Sequence, residues 1–203
     1  DVNQGNLRYL KALKPSPSPH EFVLPIGAEG AFIGAKMKII GAVVRSVTID
    51  GVKYFWHEYL LYNPRVGFRW LVHSDNHWNF VEPVNPAEVT VNNSSGKPTV
   101  IYNGKTFRIF QDAPAMVEYV QGEFYWRVSQ GETVRAADFV APPLMLSQEV
   151  SSGEMNWSLG TYKTNAQIEK AFGVSNLPKP WSVAPNQPFT GSFYYTYGLI
   201  PLA

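Results

Sequence analysis

Between Val52 and Phe80 the chain reads VKYFWHEYLLYNPRVGFRWLVHSDNHWNF, and this stretch holds three of the six tryptophans. Side chains alternate between the two faces of a strand, so its pattern can be read face by face. Val52, Tyr54, Trp56, Glu58, Leu60 and Tyr62 fall on one face, and Lys53, Phe55, His57, Tyr59 and Leu61 on the other. Both faces are largely apolar or aromatic, which predicts a strand covered on both sides. Asn63 to Gly67 breaks it, because Pro64 cannot donate to a ladder and Gly67 is conformationally permissive. Phe68 to Val72 and His77 to Val81 follow as strands, with Ser74-Asp75-Asn76 as the turn between them. The stretch is a β-meander whose rings build a core.

The flanks repeat this grammar. Val43 to Ile49, Asp50-Gly51 and Val52 onward form a hairpin, since Asp-Gly supplies the positive φ angles of a tight turn. Val89 to Val91 with Thr99 to Tyr102, and Met116 to Val120 with Phe124 to Val128, read as further hairpins. Thr133 to Val140 and Leu144 to Val150 continue as strands on either side of Pro142-Pro143, and Met155 to Leu159 adds another. Thr164 and Gln167 make a capping box, Ile168, Ala171 and Phe172 an apolar stripe, and Gly173 a stop, which predicts one short helix. The fold class is mainly β, an antiparallel barrel or two packed sheets, with one short C-terminal helix. Hairpins near 43–61 and 115–129 match each other, which suggests two similar halves, 22–86 and 87–175. Residues 1–21 hold a short helical piece and the Pro/Ser linker Lys14 to His20, and 176–203 read as an extended arm.

A net charge of +1 argues against a nucleic-acid surface. The absence of cysteine excludes disulfides, thiolate metal sites and cysteine nucleophiles. A start at Asp1 suggests a processed product or an excised fragment, with a further domain ahead of the linker. The apolar runs are too short for a membrane span. The end, Phe193 to Ala203 (FYYTYGLIPLA), has two readings: a last strand, or the aromatic collar of a membrane segment after Ala203.

Candidate chemistry is sparse. His57 and Glu58 are neighbours on a strand and point to opposite faces, so they cannot serve one site without a bulge. Glu58 shares an aromatic face and, if buried, needs a partner, for which Arg45 and Arg69 are the candidates. A structural carboxylate is the favoured reading, and a catalytic one the alternative. His73 and His77 flank a turn holding Asp75, a pattern that can bind metal, although no fourth ligand is evident and the turn needs none. Glu118, Glu123, Glu149, Glu154, Asp112 and Asp138 could supply a second carboxylate for glycosidase-type work. No G-x-S-x-G elbow, P-loop or dinucleotide fingerprint is present, and no cofactor is expected. The rings Trp56, Tyr59, Tyr62, Trp70 and Trp126 are the candidates for a binding surface.

Trp56 to Tyr62 (WHEYLLY), Gly67 to Leu71 (GFRWL) and His77-Trp78 resemble the signature of a bacterial family of domains of unknown function, DUF4178. Gly122 to Trp126, Asp138 to Pro143, Leu146 to Glu149, Glu154 to Ser158 and Ala171 to Gly173 are similar to the family as well, and the resemblance covers about 25–175. It implies no activity. It does imply a place in longer chains, after small domains and before membrane segments. The expectation is therefore a non-enzymatic module of a membrane-associated bacterial protein, on the cytoplasmic side, that binds a protein or a small ligand. A hydrolase using paired carboxylates, Glu58 among them, is the second reading.

Overall fold

The computed structural model describes residues 21–93, 96–151 and 153–188. The predicted helical piece, the Pro/Ser linker and the aromatic C-terminal end lie outside them. Eleven strands follow in order: β1 (Glu29–Phe32), β2 (Ala35–Ile49), β3 (Val52–Asn63), β4 (Gly67–Ser74), β5 (His77–Val84), β6 (Thr90–Asn92), β7 (Thr99–Tyr102), β8 (Lys105–Gly122), β9 (Thr133–Ala141), β10 (Leu144–Ser151) and β11 (Glu154–Lys163). Helix α1 (Asn165–Phe172) closes the series, and its Thr164–Gln167 capping box and left-handed Gly173 cap are as predicted.

Eight antiparallel strands close into a barrel in the order β2-β3-β4-β5-β11-β10-β9-β8, and β1, β6 and β7 are added outside the ring. Strand neighbours run in the same order twice, β1 to β5 and β7 to β11. The two runs join along β5–β11, from Val84↔Trp157 to Trp78↔Lys163, and along β2–β8, from Gly41↔Gly122 to Val47↔Ala115. Closure of this kind leaves no long open sheet edge.

Strands β2 and β8 are long because each serves two partners along one edge. Strand β2 pairs β1 over Ala35 to Lys38 and β8 from Gly41 onward, while β8 pairs β7 through Arg108 and β2 from Ala115. Pro114 falls in the gap between those two partners of β8, where that edge has no ladder. The strand predicted at Phe124 to Val128 is not formed, and 123–132 is a loop. Past Gly41 the edge of β2 already belongs to β1, so β8 has nothing left to pair with beyond Gly122. In strand order the counterpart of the β2–β3 hairpin is accordingly β8–β9 rather than 115–129.

Two apolar cores lie against the outer wall. Tyr59, Leu61, Leu71, Trp78 and Phe80 pack under β1, residues 22–28 and α1, the last contributing Ile168. Phe107, Phe139, Leu146 and Trp157 pack under the β6–β7 side with Val89 and Val100. The barrel interior takes the opposite face of β3, so β3 is covered on both sides at its middle, and Tyr59, Leu60 and Leu61 all have 0% exposure. The arm after α1 is tied to the far end of β4. Asn76 Nδ2 donates to the Lys179 carbonyl, His77 Nε2 to that of Ser182, and buried Asn186 donates from Nδ2 to Asn79 Oδ1 and the Pro143 carbonyl.

Candidate functional site: a charged lumen beneath an aromatic mouth

Arg45 on β2 enters the barrel. Its Nη1 donates to Glu149 Oε1 on β10 at 2.7 Å, and its Nε lies 3.1 Å from Glu58 Oε2 on β3, too oblique for a full hydrogen bond. Strands β2 and β10 are not neighbours in the ring, so this side chain spans the lumen. Trp56 Nε1 donates to Glu58 Oε1 at 2.7 Å, and Ser147 Oγ donates to Asp138 Oδ1 at 2.6 Å. Of the two arginines named for Glu58, Arg45 is its partner, and Arg69 instead reaches Glu82 at 3.3 Å.

The electrostatics follow from crowding in a dry space. Burial pushes the Glu58 carboxyl up; Arg45 and the Trp56 indole pull it down, Glu149 and Asp138 push it further up, and the net direction is upward. Burial also raises Asp138, with Glu149 adding to it against the Ser147 hydroxyl. Burial disfavours the charge on Arg45, but Glu58, Glu149 and Glu132 together outweigh it and its pKa rises. One guanidinium thus faces a surplus of carboxylates.

Above this network lies a cluster of rings. Tyr62 on β3 meets Phe68 on β4 at 4.8 Å between centroids, and Phe68 stacks on Tyr125 at 4.1 Å. Tyr125 leans on Trp126 at 4.4 Å, and Trp126 meets Trp70 at 5.4 Å and Phe124 at 5.3 Å. The loop 123–132 therefore folds its three successive rings over one end of the barrel. Phe124 sits against Gly41, where a Cβ would come within 2.8 Å of its ring. Tyr125 is 60% exposed and Tyr62 37%. Burial, with Glu149 adding to it, raises the Tyr125 phenol, and the ring loop runs into β9 where Ala136 lies opposite Glu149.

Of the predicted binding residues, Tyr62, Trp70 and Trp126 come together here, and Trp56 lies deeper, on Glu58. Tyr59 does not join them. It points to the outer core, where its hydroxyl accepts from the amides of Val23 and Leu24 and burial pushes its pKa up to about 12. Phe68, Phe124 and Tyr125 were not singled out from sequence. The signal for the last two was present in the run Phe124-Tyr125-Trp126, hidden by reading it as a strand.

His73 and His77 flank the turn but point to different partners. His73 stacks on Trp78 at 4.1 Å and faces His57 across β3–β4, and burial lowers its pKa to about 4. His77 bridges the Tyr162 hydroxyl at 2.7 Å and the Ser182 carbonyl at 2.9 Å. Among the described residues no group of three or more His, Asp or Glu side chains is arranged to hold a metal ion. Glu118 is the centre of another polar cluster, on the outer face of the β2–β8 seam, where Ser46 and Lys53 reach it beside a cleft of about 130 Å³ lined also by Met116 and Thr133.

The architecture defines a class: a small closed β-barrel with an ion-paired interior and rings over one end. The chain belongs to the family described as a domain of unknown function, DUF4178, whose model matches residues 25–165. No curated protein and no solved structure matches the chain.

Proposed function

We propose that this domain is a non-enzymatic binding module that takes a protein or ligand at the ring-lined end of the barrel. The observation that carries the reading is the cluster of Tyr62, Phe68, Trp70, Phe124, Tyr125 and Trp126, with Tyr125 60% exposed at its rim. Aromatic side chains pinned by one another present large contact area at little entropic cost, which is the composition of binding hot spots. The setting we propose is a membrane-associated bacterial protein with this domain on the cytoplasmic side, as the family resemblance implies. No helix among the described residues is long and apolar enough to cross a membrane.

A photo-crosslinking amino acid at position 125, in the full chain in cells, tests the module. A discrete adduct from position 125, with none from Glu88 on the second half, is the expected result. No adduct from position 125 would overturn it.

A second reading, a hydrolase using Glu58, draws on the raised Glu58 carboxyl and on Glu149, which shares Arg45 with it. Against it, both Glu58 oxygens are engaged within the protein, by Trp56 and Arg45, and its side chain is 13% exposed. A Glu58→Gln variant that retains any hydrolytic activity found in the wild type removes this reading.

A further inference from the structure

We propose that the aromatic mouth receives the guanidinium of an arginine side chain presented by a protein partner, with Glu149 as its counter-ion. This rests on the binding-module reading and names what the module recognises.

Charge complementarity carries the argument. Arg45 lies within ion-pair distance of both Glu58 and Glu149, and Asp138 stands on the same face of β9, two residues from the Ala136 that faces Glu149, so the carboxylates outnumber the cation they surround. Glu149 is the member that solvent reaches. Its side chain is 39% exposed, whereas those of Arg45 and Glu58 are 10% and 13% exposed. Arg45 occupies its Oε1, and Oε2 forms no hydrogen bond among the described residues.

The rings stand at the same end of the barrel as this carboxylate: Glu149 lies opposite Ala136, near the start of β9, and the ring-bearing loop 123–132 runs directly into β9. A cation held over an aromatic face and next to a partly desolvated carboxylate gains from both. The guanidinium is the cation whose shape suits the pair. It is planar, stacks on rings, is weakly hydrated, and offers a fork of donors to a carboxylate. The ring surface also extends from Trp70 and Trp126 to Tyr62 at the rim, broader than one small cation covers and suited to the residues flanking an arginine in a chain.

The test is a titration of the isotopically labelled chain, followed by the indole N–H signals of Trp70 and Trp126. The probes are N-acetyl-arginine amide, its citrulline counterpart, which has the same shape without the charge, and choline. Saturable shifts with the arginine probe are expected, about tenfold weaker with citrulline. The same loss is expected in Glu149→Gln and in Tyr125→Ala, the latter an exposed position that does not threaten the fold. Glu154→Gln, at the tip of the β10–β11 hairpin, is expected to bind as the wild type does. Equal shifts from arginine and citrulline would overturn the cationic specificity while leaving the mouth a binding face. Shifts from choline alone would overturn the arginine assignment in favour of a small quaternary ammonium. Silence from all three probes, with a crosslinked adduct still formed at position 125, would overturn this inference but not the module reading. Silence in both experiments would remove both.

Discussion

Arg45 is one guanidinium divided between carboxylates on strands that do not touch, and its removal strands them. Arg45→Met is expected to cost about 3–5 kcal/mol in urea unfolding, because Glu58 and Glu149 are left facing each other without compensation. Adding Glu58→Gln to that variant is expected to recover part of the loss, whereas two independent sites would simply add. The partner of Glu58 could be narrowed from sequence to two arginines because a buried carboxylate demands one. Choosing between them needed the register that sets Arg45 opposite Trp56 and Arg69 opposite Leu61.

His73 supplies a pH test of the same kind. The unfolded chain gains a proton near pH 6.5, while the folded protein resists protonation of His73 until about pH 4. Its contribution is therefore complete above pH 6.5 and drains away as pH falls towards 4, on the order of 3 kcal/mol in all. Glu58 and Asp138, whose carboxyls are raised, work with the opposite sign: their contribution grows as pH falls through their folded values. Subtracting the pH–stability curve of His73→Phe, which keeps the ring against Trp78, isolates the histidine. A difference curve flat between pH 6.5 and 4 would refute the assignment.

Among the elements, the β2–β8 seam sets the position of everything at the mouth. At its end Gly41 and Gly122 cross so closely that a Cβ on Gly41 would sit 2.5 Å from the Glu123 carbonyl, and one on Gly122 would collide with that of Ile40. Gly122 also holds φ at +87°, a region that favours glycine. Gly122→Ala is expected to lose about 2–4 kcal/mol and to broaden the Trp126 signal, since the ring loop begins at that crossing. Thr164→Ala, by contrast, removes only the helix cap and is expected to cost about 1 kcal/mol with the mouth unchanged. Thermal melts of the two variants read the difference. Elements defined by local chemistry, such as the Asp50-Gly51 turn, the Thr164 capping box and the alternation of β3, were legible in the sequence. The loop 123–132 was not. Phe124-Tyr125-Trp126 has every local mark of a strand, and only the prior claim of β1 on the edge of β2 turns it aside.

At the scale of the molecule, closure makes the two runs of strands depend on each other. Neither 22–86 nor 87–175 can form a barrel alone, because each contributes one side of both seams. A chain divided after Pro86 is expected to give two fragments with poorly dispersed NMR spectra and a dispersed spectrum on mixing. A fragment that folds independently would contradict the interdependence. The hairpin match that suggests two halves falls on 115–129, where no hairpin forms, and the repeat lies instead in strand order; the pairing that joins the halves spans at least 68 residues (Val47 with Ala115), and no local pattern encodes such a separation.

The strap formed by residues 174–188 has a geometric outcome. It is fastened at Asn76, His77 and Asn79, where β4 hands over to β5, while Phe68 and its ring neighbours stand at the start of β4. The eight residues of β4 separate these poles by roughly 25 Å. Rings and strap thus occupy opposite poles of one axis, joined through a hoop of hydrogen-bonded strands, so a partner seated on the rings would leave the strap's own fastenings uncovered.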